Sequence, residues 1–389
     1  MKINAAIAGV GASVFGRFLP DSQLGLAAKA FKAALKDAGL KREEVDGLSI
    51  HIGWPLGVDY DRVAEGLGLS VRYVNQSWTH GRFVTNALQH AVLAVSAGLA
   101  NVVACVTAIS FTRERELLLG GPGDVESNRE DGGTHGESPP YGLTAPASGA
   151  ALSMQRYMAQ FGATSEKLAA VPIAIRKHAL RNPDAIMKKE LTFDDHQNSR
   201  MVLNPLRLFD CCLMTDGAVV TLVTTQERAR DMKQKPVHIA GLQGIRSGRE
   251  EFIFAPPGLG INQQSTTRVH SRPADVEVFE SAGVNRSDVK ALYTYDAFSP
   301  LPLFVLERYG YCGAGEAIDF VQDGTIGPGG KLPINTNGGL LSEAHVGGWN
   351  HIREMTLQLR GTAGPRQIPG ADVLQWGTVW GDSVIMTTA

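Results

Sequence analysis

The chain has no surplus of charge of either sign: 37 Lys+Arg stand against 39 Asp+Glu, a formal net charge of -2 at pH 7. Proteins that neutralise phosphates along nucleic acid or an anionic bilayer usually carry a basic excess, so neither partner is expected. Long apolar runs are also missing. No stretch approaches the roughly 18 residues of a membrane span, and the opening MKINAAIAGVGASVFG lacks the apolar centre of a secretory signal. A cytoplasmic location is the expectation. Cysteine is scarce: Cys105, Cys211, Cys212 and Cys312 show no CxxC spacing and no histidines set as in a zinc knuckle. This argues against a disulfide framework and gives no metal site.

What is present is a chain of 389 residues, 43% hydrophobic, long enough for two or three domains. The 44 glycines exceed the usual share of about 7% without forming low-complexity tracts, which points to tight turns and close backbone approaches. Residues 5–10 form an apolar run ending at Gly11 and read as a buried strand. Apolar residues at helical spacing follow over 24–35, closed by Gly39. Strands are expected at 45–52, 71–77 and 101–109, with an Ala-rich helix over 87–99. This alternation predicts an α/β sandwich on a mostly buried sheet. Residues 111–210 change character, mixing charged and Gly/Pro-rich stretches with amphipathic helices, and read as a folded insertion. A strand resumes at 216–225, residues 226–235 read as a hydrophilic linker, and Pro236 opens the second half.

That second half repeats the first. Residues 37–48, DAGLKREEVDGL, align with 281–292, SAGVNRSDVKAL, at an offset of 244 positions, matching Ala38/Ala282, Gly39/Gly283, Arg42/Arg286, Val45/Val289 and Leu48/Leu292. Glycine caps and acidic turns are generic, so chance is the competing explanation. The agreement of the following strand, helix and strand favours duplication into an N-terminal half, 1–235, and a C-terminal half, 236–389, with the active site where they meet.

The richest segment for chemistry is LPINTNGGLLSEAHVGGWNH, residues 332–351. A strand ending at Asn335 runs into a Gly338-Gly339 turn that exposes backbone N–H groups, and His345 precedes a helix beginning near Trp349. A neutral imidazole there suits hydrogen bonding to a substrate oxygen while turn amides support developing negative charge. Local sequence alone favours the plainer alternative, a Gly-rich turn with a satisfied histidine.

Taken together, Asn335-Thr-Asn-Gly-Gly and Ser342-Glu-Ala-His345-Val-Gly-Gly resemble the N-x-x-G-G…G-H-P-x-G-A-T-G signature of the thiolase superfamily, particularly its sterol-carrier-type, lipid-transfer branch. Residues 204–218, NPLRLFDCCLMTDGA, are similar to that branch ahead of its last N-terminal strand, and Tyr295-Asp-Ala-Phe stands where the branch carries H-D-C-F or Y-D-x-F. The resemblance implies a duplicated five-layered αβαβα sandwich with a loop/helix insertion at about 111–210. It also implies a homodimer formed through the third strands.

The departures bear on the reaction. In the stretch matching the nucleophile motif, Asn75-Gln-Ser-Trp-Thr-His-Gly81, Trp78 stands in place of cysteine, and indole forms no thioester. Residues 377–383, GTVWGDS, lack the second thiol of the family's C-x-G motif. Cys211 and Cys212 are placed to line the site but are weak candidates for nucleophiles. What remains is Tyr295 and His345, acid/base types suited to retro-aldol cleavage of a 3-hydroxyacyl-CoA without a covalent acyl-enzyme. The chain resembles the thiolase-like acyl-CoA aldolases of steroid side-chain breakdown, which pair with a small OB-fold/zinc-ribbon subunit; His345 stands where those enzymes often carry tyrosine. The resemblance implies coenzyme A as part of the substrate, no separately bound cofactor, and a heterotetramer if the second subunit is present. Substrate-lining positions expected on this basis are Trp78, His80, Tyr141, Asp296, Asn335, Gly338 and Gly339. His80 reads equally as a helix N-terminal hydrogen-bonder, Tyr141 as aromatic packing and Trp78 as a plug that leaves the protein inactive. Asp296 is expected to orient Tyr295 or the Asn335 loop, and His351 to face elsewhere. A thiolase that transfers an acyl group through an atypical residue such as Cys212, and a non-catalytic subunit, stay open beside the aldolase.

Overall fold

A computed structural model describes residues 3–51, 59–77, 84–110, 146–246 and 274–388. Among these, strands β1 (Ala6–Ala12), β2 (Gly47–His51), β3 (Tyr73–Ser77), β4 (Val102–Ser110), β7 (Asp216–Thr224), β8 (Val237–Gln243), β9 (Ala291–Tyr293), β10 (Val373–Gly377) and β11 (Ser383–Thr388) form one sheet. Its order is β3-β2-β4-β7-β1-β8-β11-β10-β9. A hairpin of β5 (Met201–Leu203) and β6 (Leu206–Arg207), not foreseen in the sequence, stands apart from it.

The pairing pattern occurs twice, mirrored about the β1/β8 junction. Reading across the sheet, Gly9 lies opposite Leu222, Leu222 opposite Ala104, Ala104 opposite Leu48, and Leu48 opposite Val74. In the other direction Gly241 lies opposite Ile385, Ile385 opposite Gln375, Gln375 opposite Leu292, and Leu292 bridges Ile334. Parallel and antiparallel senses match step for step. Glycine is required at the same place in each: a Cβ on Gly9 would stand 2.7 Å from the Ala34 carbonyl and the Ala38 Cβ, and one on Gly241 would stand 2.5 Å from the Val278 carbonyl and 2.9 Å from the Ala282 Cβ. Real side chains do not tolerate such separations, so each strand passes flush against its helix only without a side chain.

Helices cover both faces. The Gln23–Ala38 helix packs on β1, β7 and β4, burying Leu26, Ala30, Phe31 and Ala34 against Ala8, Leu48, Val102, Val220 and Leu222. Ser22 accepts from the Gly25 N–H at its start and Gly39, at φ 74°, ends it. On the opposite face lie the Val84–Ser96 and Trp349–Arg360 helices, the second touching strands of both halves. The Glu277–Ala282 helix covers β8 and β11. Helices therefore cover both faces of the nine-stranded sheet. β4 and β7, buried along their full length, read in the sequence as continuous apolar runs for that reason. Trp349 and Trp376 are fully buried in the shared core, each stabilising it by roughly 2–3 kcal/mol through apolar burial.

Two sequence expectations are corrected. Residues 226–230, read as linker, form the Gln226–Arg230 helix, capped by Thr225, whose hydroxyl accepts from the Arg228 N–H. The strand expected to end at Asn335 is reduced to the single Leu292/Ile334 bridge, because Asn335 turns out of the sheet at φ 52°. The described part of the insertion holds four helices, Pro146–Phe161, Ser165–Leu168, Ala170–Ala179 and Phe193–Gln197, followed by the β5-β6 hairpin. No described helix is long and apolar enough to cross a membrane.

Candidate active site

Three segments converge where β9 leaves the sheet. The first begins with Thr294, whose backbone N–H donates to Asn335 Oδ1 (2.9 Å) and whose carbonyl accepts from Asn335 Nδ2 (3.0 Å). A side-chain amide thus continues the ladder that the strand has abandoned, and it fixes the backbone one residue before Tyr295. The second segment follows Asn335. Gly338 and Gly339 take φ of 103° and 62°, and a Cβ at Gly339 would sit 2.0 Å from Asp296 Oδ2. Only glycine lets the chain pass Asp296, which accepts from the N–H of Leu340 (2.8 Å) and Leu341 (3.4 Å). The third runs from Cys211 to Thr215. Cys212 N–H donates to the Ala297 carbonyl (2.9 Å), and the Thr215 hydroxyl both accepts from the His345 N–H (2.9 Å) and donates to the His345 carbonyl (3.2 Å).

These constraints bring two side chains from distant parts of the sequence together. Tyr295 Oη lies 3.0 Å from His345 Nε2, with both residues more than nine-tenths buried. The other ring nitrogen, Nδ1, lies 3.6 Å from Cys212 Sγ, within reach for sulfur. Trp380 packs on Tyr295, its ring centroid 5.7 Å away. Its loop is held by Arg308, which donates to the Val379 carbonyl (2.7 Å) and pairs with Asp275 (2.7 Å). Burial pushes the Cys212 thiol above its ordinary range, with Cys211 and Asp296 adding to the rise, and it pushes Cys211 up to about 12. Both are neutral thiols at physiological pH.

Behind the loop is a polar network that no local pattern announces. Buried Glu343 accepts from Asn182 Nδ2 (2.7 Å), Asn350 Nδ2 (2.7 Å) and Asn337 Nδ2. Burial outweighs these donors and pushes its carboxyl up to about 7. Arg176 Nε donates to Ser342 Oγ (2.8 Å), tying the insertion to the same turn. His351 faces Asn337 Oδ1 at 3.1 Å and Asp296 Oδ1 at 3.3 Å, so it backs the site rather than pointing elsewhere. The turn amides differ from expectation as well. Gly338 N–H donates to the Asn335 carbonyl (2.8 Å) and Gly339 N–H to Asn337 Oδ1 (3.4 Å), so both are bonded within the loop. Asn335 is occupied by Thr294 in the same way. Trp78, His80 and Tyr141 lie outside the described residues.

With this geometry established, comparison with known proteins is decisive. A family model described as thiolase C-terminal domain-like matches residues 261–387. The chain is 39% identical to the 17-hydroxy-3-oxo-4-pregnene-20-carboxyl-CoA lyase of Mycobacterium tuberculosis over 369 residues, covering 92% of each. The chain belongs to the thiolase superfamily. Within it, the sterol-carrier-type branch beside the acyl-CoA aldolases is its place. It is 36% identical to the steroid side-chain-cleaving aldolase of Thermomonospora curvata, covering 92% of this chain and 91% of that one. A solved Ltp2-ChsH2(DUF35) aldolase superposes with a TM-score of 0.86 at 33% identity, over 100% of this chain and 98% of that one. In this thiolase-like frame, the residues that sequence reasoning missed are Thr215, Trp380, Asn182 and Glu343. Each acts across a sequence gap or through packing, which leaves no local signal.

Proposed function

We propose that the protein is an acyl-CoA aldolase, cleaving a 3-hydroxyacyl-CoA by a retro-aldol reaction. The observation that carries the reading is the 3.0 Å Tyr295–His345 pair, in a chain whose sequence has Trp78 where the family motif carries its nucleophilic cysteine. Tyr295 takes the proton of the 3-hydroxyl as the Cα–Cβ bond breaks. The bond's electrons pass into the thioester enolate, the hydroxyl carbon leaves as an aldehyde or ketone, and the proton returns to Cα. Atoms balance without water or free CoA. The relatives' names support the substrate class: a 17-hydroxy-20-carboxyl-CoA thioester has its hydroxyl on the carbon next to the one bearing the carboxyl group, the 3-hydroxyacyl arrangement. By the same likeness we propose a steroid or similarly bulky acyl group, an OB-fold partner subunit, a homodimer through the exposed edge of β3, two structural halves divided at 235/236, and a cytoplasmic location.

The test is direct. Purified protein, with and without the small subunit, is incubated with a 3-hydroxyacyl-CoA, and release of carbonyl product and shortened acyl-CoA is followed. Product without consumption of CoA supports the aldolase; a strict need for CoA and a 3-ketoacyl substrate overturns it. One observation favours a second reading. Cys212 beside His345 is a cysteine–histidine pair, the arrangement of an acyl-transferring thiolase. Against it, burial keeps that sulfur protonated, and a thiol is a poor nucleophile.

A further inference from the structure

We infer that Cys212 is a positioning residue, setting the tautomer of His345 so that its Nε2–H is directed at Tyr295; this rests on the aldolase reading. Among the described residues, Cys212 Sγ lies 3.6 Å from His345 Nδ1 and Tyr295 Oη 3.0 Å from Nε2, on opposite edges of the ring. Imidazole nitrogen is a strong acceptor, whereas sulfur is a weak one, so the neutral thiol donates S–H to Nδ1. The ring proton then resides on Nε2 and is donated to the phenol oxygen. A hydrogen bond into that oxygen favours its ionised form, the form that removes a hydroxyl proton from substrate. Thr215 holds the His345 backbone through both its N–H and its carbonyl, so the ring has little freedom to shift away from either partner. The ionisable groups around Cys212 and His345 among the described residues are Tyr295, Cys211 and Asp296, with His351 behind Asp296. Asp296 is engaged by loop amides and raises the thiol rather than competing for it.

The experiment compares Cys212→Ala, Cys212→Ser and Tyr295→Phe in the full chain with its partner subunit. Cys212→Ala is expected to lower kcat about tenfold with KM little changed and to move the basic group in the pH–kcat profile up by about one unit. Cys212→Ser keeps an O–H donor and is expected to restore both. Nitrogen-15 labelling of histidine supplies a readout independent of turnover: Nε2–H His345 in the parent and serine forms, a tautomer mixture in alanine. Identical profiles and identical tautomers for the parent and Cys212→Ala overturn the inference, as does serine behaving like alanine. If Tyr295→Phe keeps parental activity, the aldolase reading itself is wrong. If Tyr295→Phe is inactive while Cys212→Ala is unchanged, only the role of Cys212 falls. Loss of activity in Cys212→Ser with covalent acylation of the parent at Cys212 points instead to acyl transfer and overturns both.

Discussion

The two halves of the sheet share one register and part company at one residue pair. Val74 and Ile334 stand in equivalent places, opposite Leu48 and Leu292, which puts Asn75 and Asn335 in register. After Asn75 the chain stays extended, and Gln76 and Ser77 continue to pair with Ile50 and His51. After Asn335 it leaves the sheet, and the side chain rather than the backbone bonds to Thr294. A duplicated scaffold thus supplies two identical exits. The second opens into the loop that carries His345 instead of continuing as strand. The Tyr295–His345 pair thus sits where the ladder is given up, since a paired strand has no free path on which to place a turn and an imidazole.

If the second exit holds the catalytic machinery, Tyr295→Phe and His345→Ala should each reduce kcat/KM by about 10²–10³-fold while leaving the melting temperature near the parent's. Parental rates in both would break the contrast between the halves. Next in size is the loop itself. Gly339→Ala drives a Cβ into the Asp296 carboxylate and should cost about 3 kcal/mol in chemical denaturation. Gly283→Ala, also at positive φ but with open space around it, should cost only about 1 kcal/mol. Equal losses would mean that the loop is no more constrained than a helix cap.

The buried carboxyl behind the loop gives a pH signature. Glu343 ionises near its ordinary 4.5 when unfolded and at about 7 when folded. The native state holds the extra proton between those values, so this group's contribution is present below pH 4.5 and is lost as pH rises through 7. Glu343→Gln should flatten that decline, a difference of about 3 kcal/mol across the window by urea titration. The smallest contrast uses aligned arginines. Arg42 pairs with exposed Glu43, whereas Arg286 donates to the Tyr309 carbonyl at 3.2 Å. Arg42→Ala should change stability by less than about 0.5 kcal/mol and Arg286→Ala by about 1 kcal/mol.

Much of the fold was legible because buried strands have to be apolar along their length. β1, β4 and β7 read as such, and Gly39 and Gly283 marked the helix ends that reveal the repeat. The β5-β6 hairpin was not, since β5 lies exposed and the pair stands off the main sheet. The Gln226–Arg230 helix was hidden by composition, because a short helix on the surface is as hydrophilic as a linker. Around the site, Tyr295, His345 and Asp296 were picked out by motif. Cys212 was named only as a weak nucleophile, since nothing in its neighbours' identity tells that its sulfur faces an imidazole 133 residues away.

By itself the sequence determined the layered α/β architecture, the duplicated row of strands and the absence of a thiol at position 78, all of which follow from local periodicity and residue identity. Tertiary structure alone decided which polar groups meet. The turn amides that looked available are spent on the loop, Asn335 serves the backbone, and His351 turns inward to Asp296. Hydrogen bonding between side chains depends on how packed layers place them in space, and buried donors and acceptors must find partners wherever packing leaves them.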